Sequence, residues 1–460
     1  IVCVIYIVCV IYIVCVIYIV CEIYIVCEIY IVCVIYIVCV IYIVCVIYKS
    51  IYTYIYIYMS DNIKQILIKY LKPSDKELKP SDKELKPHIV LIVGTRPNFI
   101  KAFPVYNVLQ NIFRLTLIHT GQHFDSKMSD IFFKQLKFPL PDITLYGNNN
   151  SNSNNNSNSN ELHRKAGILD MMLYNGMCDF ENLSKKKAIV NKLMTHKGDI
   201  GQLGDIRDKL CIELSKLQPD LVMVFGDVTS TLAGALSAKS LNIDIAHVES
   251  GLRSGEITMP EEVNRILVDY MSTYLFVTEK SGLDNLKYES ITKNIFLVGN
   301  TMLDTQHKFL PLALKTDYNN SIGVAKGSYV LITLHRPSNV DCNDRFKEIY
   351  QDIIELSKSV RVVYPVHHRT REQIKQFGGF DDNVILLEPL GYLEFNCLMA
   401  NSKYVITDSG GIQEETSNLG IKCLTLRNNT ERPSTLVRNG GTNQLISRIC
   451  GVSIKSTNFI

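Results

Sequence analysis

The chain lacks the cysteine patterns that mark a metal site: its 14 cysteines include no CxxC pair, and none stands at a histidine spacing typical of zinc. Eight of the 14 fall within residues 1–48, which are eight copies of a six-residue unit, IVCVIY, with Glu22 and Glu28 replacing the second valine in two of them. The other six (Cys178, Cys211, Cys342, Cys397, Cys423 and Cys450) are scattered. That usage fits a reduced, intracellular protein without a structural metal, so a cytoplasmic location is expected. A large charge excess is missing too. With 48 Lys and Arg against 45 Asp and Glu, the net charge is only +3, which excludes the footprint of a nucleic-acid binder. The repeat has neither a basic start nor a small-residue cleavage site, which excludes a secretory signal. It is long and apolar enough to satisfy a hydropathy test for a membrane span. Its Ile, Val and Tyr favour strands, however, so a low-complexity tract is expected, and membrane contact only through this tract.

Length suffices for two ordinary domains plus additions: 460 residues. Residues 1–58 read as the apolar low-complexity extension. Residues 59–87 read as a charged linker, carrying KPSDKEL at 72–78 and again at 79–85. Regular structure then begins. The run 89–93 is short, apolar and β-branched, as for a strand buried on both faces, and helical spacing follows from Pro97. Similar runs at 115–121, 221–227, 244–251 and 274–279 alternate with helix-length segments. A second series starts near Phe296, with runs at 295–299, 329–335, 361–367, 383–389, 404–411 and 422–426. This alternation predicts α/β architecture: two Rossmann-like, doubly wound domains of parallel sheet facing a central cleft. The first spans 88–300, with a loose Asn/Ser-rich insertion at about 147–205, and the second spans 301–460.

The richest stretch is DSGGIQEE at 408–415. A strand ends at Asp408, two glycines allow close backbone approach, and a helix begins. Its free N–H groups and positive end suit a diphosphate, and Glu414 or Glu415 suits ribose hydroxyls. A plain glycine turn with acidic residues in a first helical turn fits the same letters. Acidic groups also follow strands of the first domain: Asp227 after VMVFG, Glu249 after IAHV, and Glu261–Glu262 after Pro260. Carboxylates sharing a cleft are driven apart in pKa, giving one acid and one base. At least one of the 261–262 pair also fits ordinary helix-start charge. His335 ends the run YVLITL and suits proton transfer or phosphate binding, although a structural histidine fits there too. Arg96 and Lys101, a helical turn apart, could neutralise phosphate.

Ten strings in one order, GTRPNFIK, HTGQH, FGDVTST, HVESGLRSG, PEEVNR, VGNT, LHRPSNVD, YPVHHRT, DSGGIQEE and TERP, resemble the non-hydrolysing UDP-N-acetylglucosamine 2-epimerases over about 89–445. The resemblance implies two domains arranged as in GT-B glycosyltransferases, usually a homodimer. It implies interconversion of UDP-N-acetylglucosamine and UDP-N-acetylmannosamine by elimination of UDP, through a 2-acetamidoglucal, and re-addition with the opposite C2 configuration. No metal or nicotinamide is then needed. Asp227, Glu249, Glu261 and His335 match the family's catalytic groups. Arg96, Lys101, Phe395, Ser409, Gly410, Gly411, Glu415 and Arg432 match its substrate and UDP contacts. Gln122, His123 and His367 resemble an activating second substrate site of some members. Ser338 stands where many members carry Glu, and RICGVSIKSTNFI replaces the helix that normally follows GTNQLIS. The rival readings are a GT-B glycosyltransferase, a hydrolysing epimerase and an inactive UDP-binding relative.

Overall fold

The computed structural model describes residues 58–71, 86–122, 131, 133–146, 197–366 and 368–449. The hexapeptide repeat, the KPSDKEL repeats, the Asn/Ser tract, His123, His367 and the terminal residues 450–460 lie outside the described residues. From Met59 onward the chain forms one compact unit.

Thirteen strands among the described residues make two all-parallel sheets. The first runs β3-β2-β1-β4-β5-β6-β7, with β1 at His88–Val93, β2 at Arg114–His119, β3 at Ile143–Thr144, β4 at Leu221–Phe225, β5 at Asp244–Ser250, β6 at Tyr274–Val277 and β7 at Ile295–Leu297. The second runs β10-β9-β8-β11-β12-β13, with β8 at Tyr329–Thr333, β9 at Arg361–Pro365, β10 at Val384–Leu387, β11 at Tyr404–Thr407, β12 at Cys423–Leu426 and β13 at Asn443–Ile446. Central strands are apolar along their whole length because helices cover both faces. HIVLIV and LVMVF are buried at every position. Helices Arg96–Leu109 and Thr229–Ser240 cover opposite faces of the first sheet, each with its own cluster of buried side chains. Two further clusters flank the second sheet.

Both sheets follow the same doubly wound order, reversing direction between β1 and β4 and between β8 and β11. Such reversals leave a crevice at the carboxyl ends of the strands, where open α/β sheets bind ligands. The helix Thr301–Lys315 packs on Arg96–Leu109 of the first half and on Tyr392–Asn401 and Gly410–Leu419 of the second. Two doubly wound halves around a cleft are therefore the architecture. No helix among the described residues is long and apolar enough to cross a membrane.

Four expectations need correction. The first residues of the expected linker, 59–71, are not linker: Tyr58–Leu71 is a helix. Ile63, Ile66, Leu67 and Tyr70 repeat at helical spacing, and Ile63 and Leu67 are fully buried in the first core. Tyr70 meets the rings of Tyr274 and Phe296 at 5.5 and 5.7 Å. The end of the expected insertion is also ordered, because the helix Lys197–Leu217 starts within it. Its stripe of Leu203, Ile206, Leu210 and Leu214 is buried against the first sheet. The run at 295–299 belongs to the first sheet rather than the second series: Leu275, Phe276 and Val277 of β6 pair with Ile295, Phe296 and Leu297. Finally, β3 and β13 were not expected, being too short or too polar to show a strand pattern.

Candidate active site

The first sheet delivers its groups at the ends of β1, β4 and β5. After β1 the chain turns tightly at Gly94, where a Cβ would lie 2.0 Å from Ser230 Oγ. Asn98 ties this turn down: its Oδ1 accepts the Gly94 and Thr95 N–H groups, and its Nδ2 donates to the Phe225 carbonyl at 2.8 Å. The helix that follows carries Arg96, half-buried at its first turn, and Lys101, buried. Lys101 Nζ lies 2.5 Å from Glu249 Oε2 and 2.8 Å from where a Cβ on Gly226 would stand, so a side chain there would crowd the lysine head. Gly226 has φ +65°, and Asp227 follows.

Glu249 sits at a break in the β5–β6 register, with φ +74°. A left-handed glutamate at a strand end is strained, and such strain concentrates at functional sites. Asp227 Oδ2 lies 2.5 Å from Arg265 Nη2. Burial pushes the Asp227 carboxyl up, but Arg265, Lys101 and Arg432 together outweigh it and hold the group below its ordinary value.

The two adjacent glutamates of PEEVNR part ways. Glu262 is buried and caged: it accepts the Ser254 and Gly255 N–H groups at 2.9 Å each and pairs with Arg265 at 2.7 Å. Glu261 is half-buried and stays outside that cage, and its charge acts on Arg336 from the second half.

The second half supplies β8, β11 and the helix Gly410–Leu419. His335 is exposed, with Nδ1 2.9 Å from Asp408 Oδ1. Asp408 is buried and also accepts the His335 and Arg336 N–H groups and the Asn339 side-chain amide at 3.0 Å. Burial raises its pKa, yet these hydrogen bonds and the His335 charge hold it below the usual carboxylate value. Ser409 is the N-cap of the helix, and Gly410 and Gly411 open it. A Cβ on Gly410 would come within 2.3 Å of Arg432 Nη1, so glycine there lets Arg432 lie against the helix start.

Arg432 is buried and joins the halves. Nη2 is 2.7 Å from Glu249 Oε1, Nε is 2.7 Å from Glu414 Oε2, and Nη1 meets Glu431. Asn300, in the crossover between halves, donates to Glu414 at 2.7 Å. Burial pushes the Glu414 pKa up against the pull of Arg432. Glu415 is buried beside Tyr392, whose hydroxyl donates to it at 3.2 Å, and burial lifts its carboxyl to about 7. Phe395, half-buried on the helix Tyr392–Asn401, packs against the second core.

Lys101, Asp227, Glu249 and Arg432 thus meet in one network. His335 and Arg96 stand at the ends of their own sheets, Glu415 lies on the Gly410–Leu419 helix against Tyr392, and Phe395 lies on the helix Tyr392–Asn401. Gln122 is placed by its Oε1, which accepts the Ser230 N–H at 2.9 Å, and Ser338 is exposed. Sequence reasoning missed Arg265, Glu431, Asp408 and Asn300 as members of the network. Each adjoins or shares a motif already singled out, but its partners lie far away in the chain.

The family model for UDP-N-acetylglucosamine 2-epimerase matches residues 186–448. The UDP-N-acetylglucosamine 2-epimerase of Methanocaldococcus jannaschii is 37% identical over 363 residues, covering 75% of this chain and 85% of that protein. A Pseudomonas aeruginosa UDP-2,3-diacetamido-2,3-dideoxy-D-glucuronate 2-epimerase is 36% identical over 350 residues, covering 75% and 84%. The crystal structure of the M. jannaschii UDP-GlcNAc 2-epimerase, in complex with UDP-GlcNAc and UDP, matches with a TM-score of 0.61 at 34% identity, covering 78% of this chain and 88% of that one. With the model spanning more than half of its length and these relatives most of it, the chain belongs to the UDP-N-acetylglucosamine 2-epimerase family.

Proposed function

We propose that this protein interconverts UDP-N-acetylglucosamine and UDP-N-acetylmannosamine by eliminating UDP and adding it back. The observation that carries this reading is the pair Asp227 and Glu249 at adjacent strand ends, Asp227 paired with Arg265 and Glu249 tied by Arg432 to the glycine helix of the other half. In the elimination, a base takes the proton from C2, the C1–O bond breaks, and UDP leaves with the bonding electrons. The 2-acetamidoglucal that remains then receives a proton on the opposite face of C2 while UDP re-forms its bond to C1. Inversion calls for proton-carrying groups on two sides of the sugar, and Asp227 and Glu249 are suited to that pair. Asp227 is held ionised by its cations, as a base must be.

UDP must stay bound while detached. The start of the Gly410–Leu419 helix, Lys101 and Arg432 suit its diphosphate, and Glu415 suits the ribose hydroxyls. Phe395 is assigned to the uracil side and Arg96 to phosphate. His335, its Nδ1 anchored on Asp408, is left with Nε2 for the departing oxygen. Glu261 is the third carboxylate of the sugar side. The active species is taken to be a homodimer, each chain divided near residue 300.

Incubation with UDP-N-acetylglucosamine alone in deuterated water tests the reading. Appearance of UDP-N-acetylmannosamine with deuterium at C2 is expected. No change until an acceptor is added would sink the reading in favour of a glycosyltransferase. Release of free N-acetylmannosamine and UDP would point to hydrolysis. UDP-2,3-diacetamido-2,3-dideoxy-D-glucuronate offered in parallel tests which sugar is preferred.

A further inference from the structure

Behind the two strand-end carboxylates lies a second charged cluster with no part in the chemistry above. His247 and Asp269 are buried, with both side chains fully excluded from solvent and 2.7 Å apart (Nδ1 to Oδ1). Arg253 Nη1 pairs with the other Asp269 oxygen at 2.8 Å, and Glu289 pairs with Arg253 at 2.6 Å. Taking charge-bearing groups out of water is costly unless each is fully partnered, and replacement by apolar residues is often neutral or stabilising. What distinguishes this cluster is where its remaining bonds go. His247 Nε2 meets the Gly226 carbonyl at 2.8 Å, on the residue before Asp227. Asp269 Oδ2 accepts the Gly251 N–H at 3.0 Å, two residues after Glu249. The Gly251 carbonyl is taken by Asn285 at 2.8 Å. Glu249, at φ +74°, lies in a conformation that a side-chain-bearing residue adopts only with outside support, whereas Gly251, at +81°, takes it freely. The Gly226 carbonyl can only accept, so Nε2 is the donor of that bond.

We infer that His247 and Asp269 are positioning residues that set the backbone under both Asp227 and Glu249 at once. One rigid ring, held by one carboxylate, fixes the distance between the two strand ends from which those carboxylates project. The inference rests on the epimerase reading for its kinetic half and on hydrogen bonding alone for its structural half.

Two substitutions of similar size separate the bonds. In His247→Gln the amide nitrogen reaches the place of Nε2 and can still donate to Gly226. In His247→Asn the shorter amide serves Asp269 only. If positioning is the role, His247→Asn lowers kcat about a hundredfold, the order expected of a misplacement near 1 Å. His247→Gln then recovers at least tenfold of that loss, while KM and UDP affinity stay within about threefold of the parent. Rates are taken per UDP-competent molecule by calorimetric titration, so partial unfolding does not count as lost catalysis. Equal kcat in the two variants, or a loss confined to KM, overturns the inference. The 13C shift of the Gly226 carbonyl gives a second reading that needs no turnover. It should move in His247→Asn and return in His247→Gln, and a shift unchanged in both also overturns the inference.

Discussion

Arg265 is the most consequential cation of the site that touches no expected substrate atom, and replacing it with methionine isolates what charge balance contributes. Its guanidinium is 2% exposed, so solvent cannot take its place. It lies 2.5 Å from Asp227, 2.7 Å from Glu262 and 3.7 Å from Glu431. Glu262 would keep its three bonds from Ser254 and Gly255, and Glu431 would keep Arg427 and Arg432. The loss therefore falls mainly on Asp227. Stripping one partner from a buried pair costs about 3–5 kcal/mol, and the low end applies because Asp227 is 18% exposed. About 3 kcal/mol at neutral pH is expected, read as a lower urea midpoint at unchanged slope.

The pH dependence carries the sharper test. Asp227 and Glu431 are held below their ordinary values in the folded state. Such groups stabilise the fold above the unfolded carboxylate pKa, about 4, and that contribution disappears as pH falls through the lower folded value. The gap between parent and Arg265→Met should be full at pH 7 and shrink as the pH falls below about 4. The acid limb of the turnover profile should move upward in the variant, because Asp227 then protonates more readily. A difference under about 1 kcal/mol at pH 7, or a gap that stays constant into acid, would refute the charge-balance account.

Asp227→Asn and Glu249→Gln should each lower turnover by at least about 10²–10⁴ while UDP still binds in calorimetry. Unchanged turnover removes that residue from the mechanism. Leu67→Ala, in the helix Tyr58–Leu71, deletes a fully buried side chain and should cost about 2–5 kcal/mol of stability in urea. A cost near zero would restore the linker reading. Asp304 offers a pH effect of opposite sign to that of Asp227. Burial lifts its carboxyl to about 7, and it accepts the Ser60 N–H at 3.0 Å, with Asp61 adding repulsion. A raised carboxyl destabilises as pH climbs from its unfolded value through 7. Asp304→Asn, which keeps an acceptor oxygen, should therefore stabilise by a few kcal/mol at pH 8 and by little at pH 4. Thermal melts across that range decide it, and a flat difference removes Asp304 as the cause.

How much was readable follows from how local each feature is. The buried strands of a doubly wound sheet announce themselves as β-branched runs, so eleven of the thirteen strands lie where apolar runs stood in the sequence. NQLI in β13 reads as polar because it pairs at the sheet edge beside β12, where one neighbour suffices. The helix Tyr58–Leu71 was obscured by composition: its apolar stripe sits between an Ile/Tyr tract and a proline-rich repeat. The strand-end carboxylates were legible because chain direction alone places them at the crevice. Their partners were not. Nothing local links Asn300 to Glu414, or Arg265 to Glu431, until the halves close on one another.

The doubling of the strand order explains why such distant residues meet. Each sheet opens a crevice where its order reverses, between β1 and β4 in one and between β8 and β11 in the other. Lys101 and Asp227 stand at the first reversal, and His335 and Asp408–Gly411 stand at the second. Ion pairs then run between the halves, because each crevice is incompletely balanced alone. Glu249 takes one cation from its own half, Lys101 at 2.5 Å, and one from the other, Arg432 at 2.7 Å. Opening the cleft would leave Glu249 with Lys101 only and Arg432 without Glu249, each a buried charge missing a partner. The same bonds that assemble the catalytic groups therefore also favour the closed arrangement, so residues that tune the chemistry and residues that hold the domains together belong to one set.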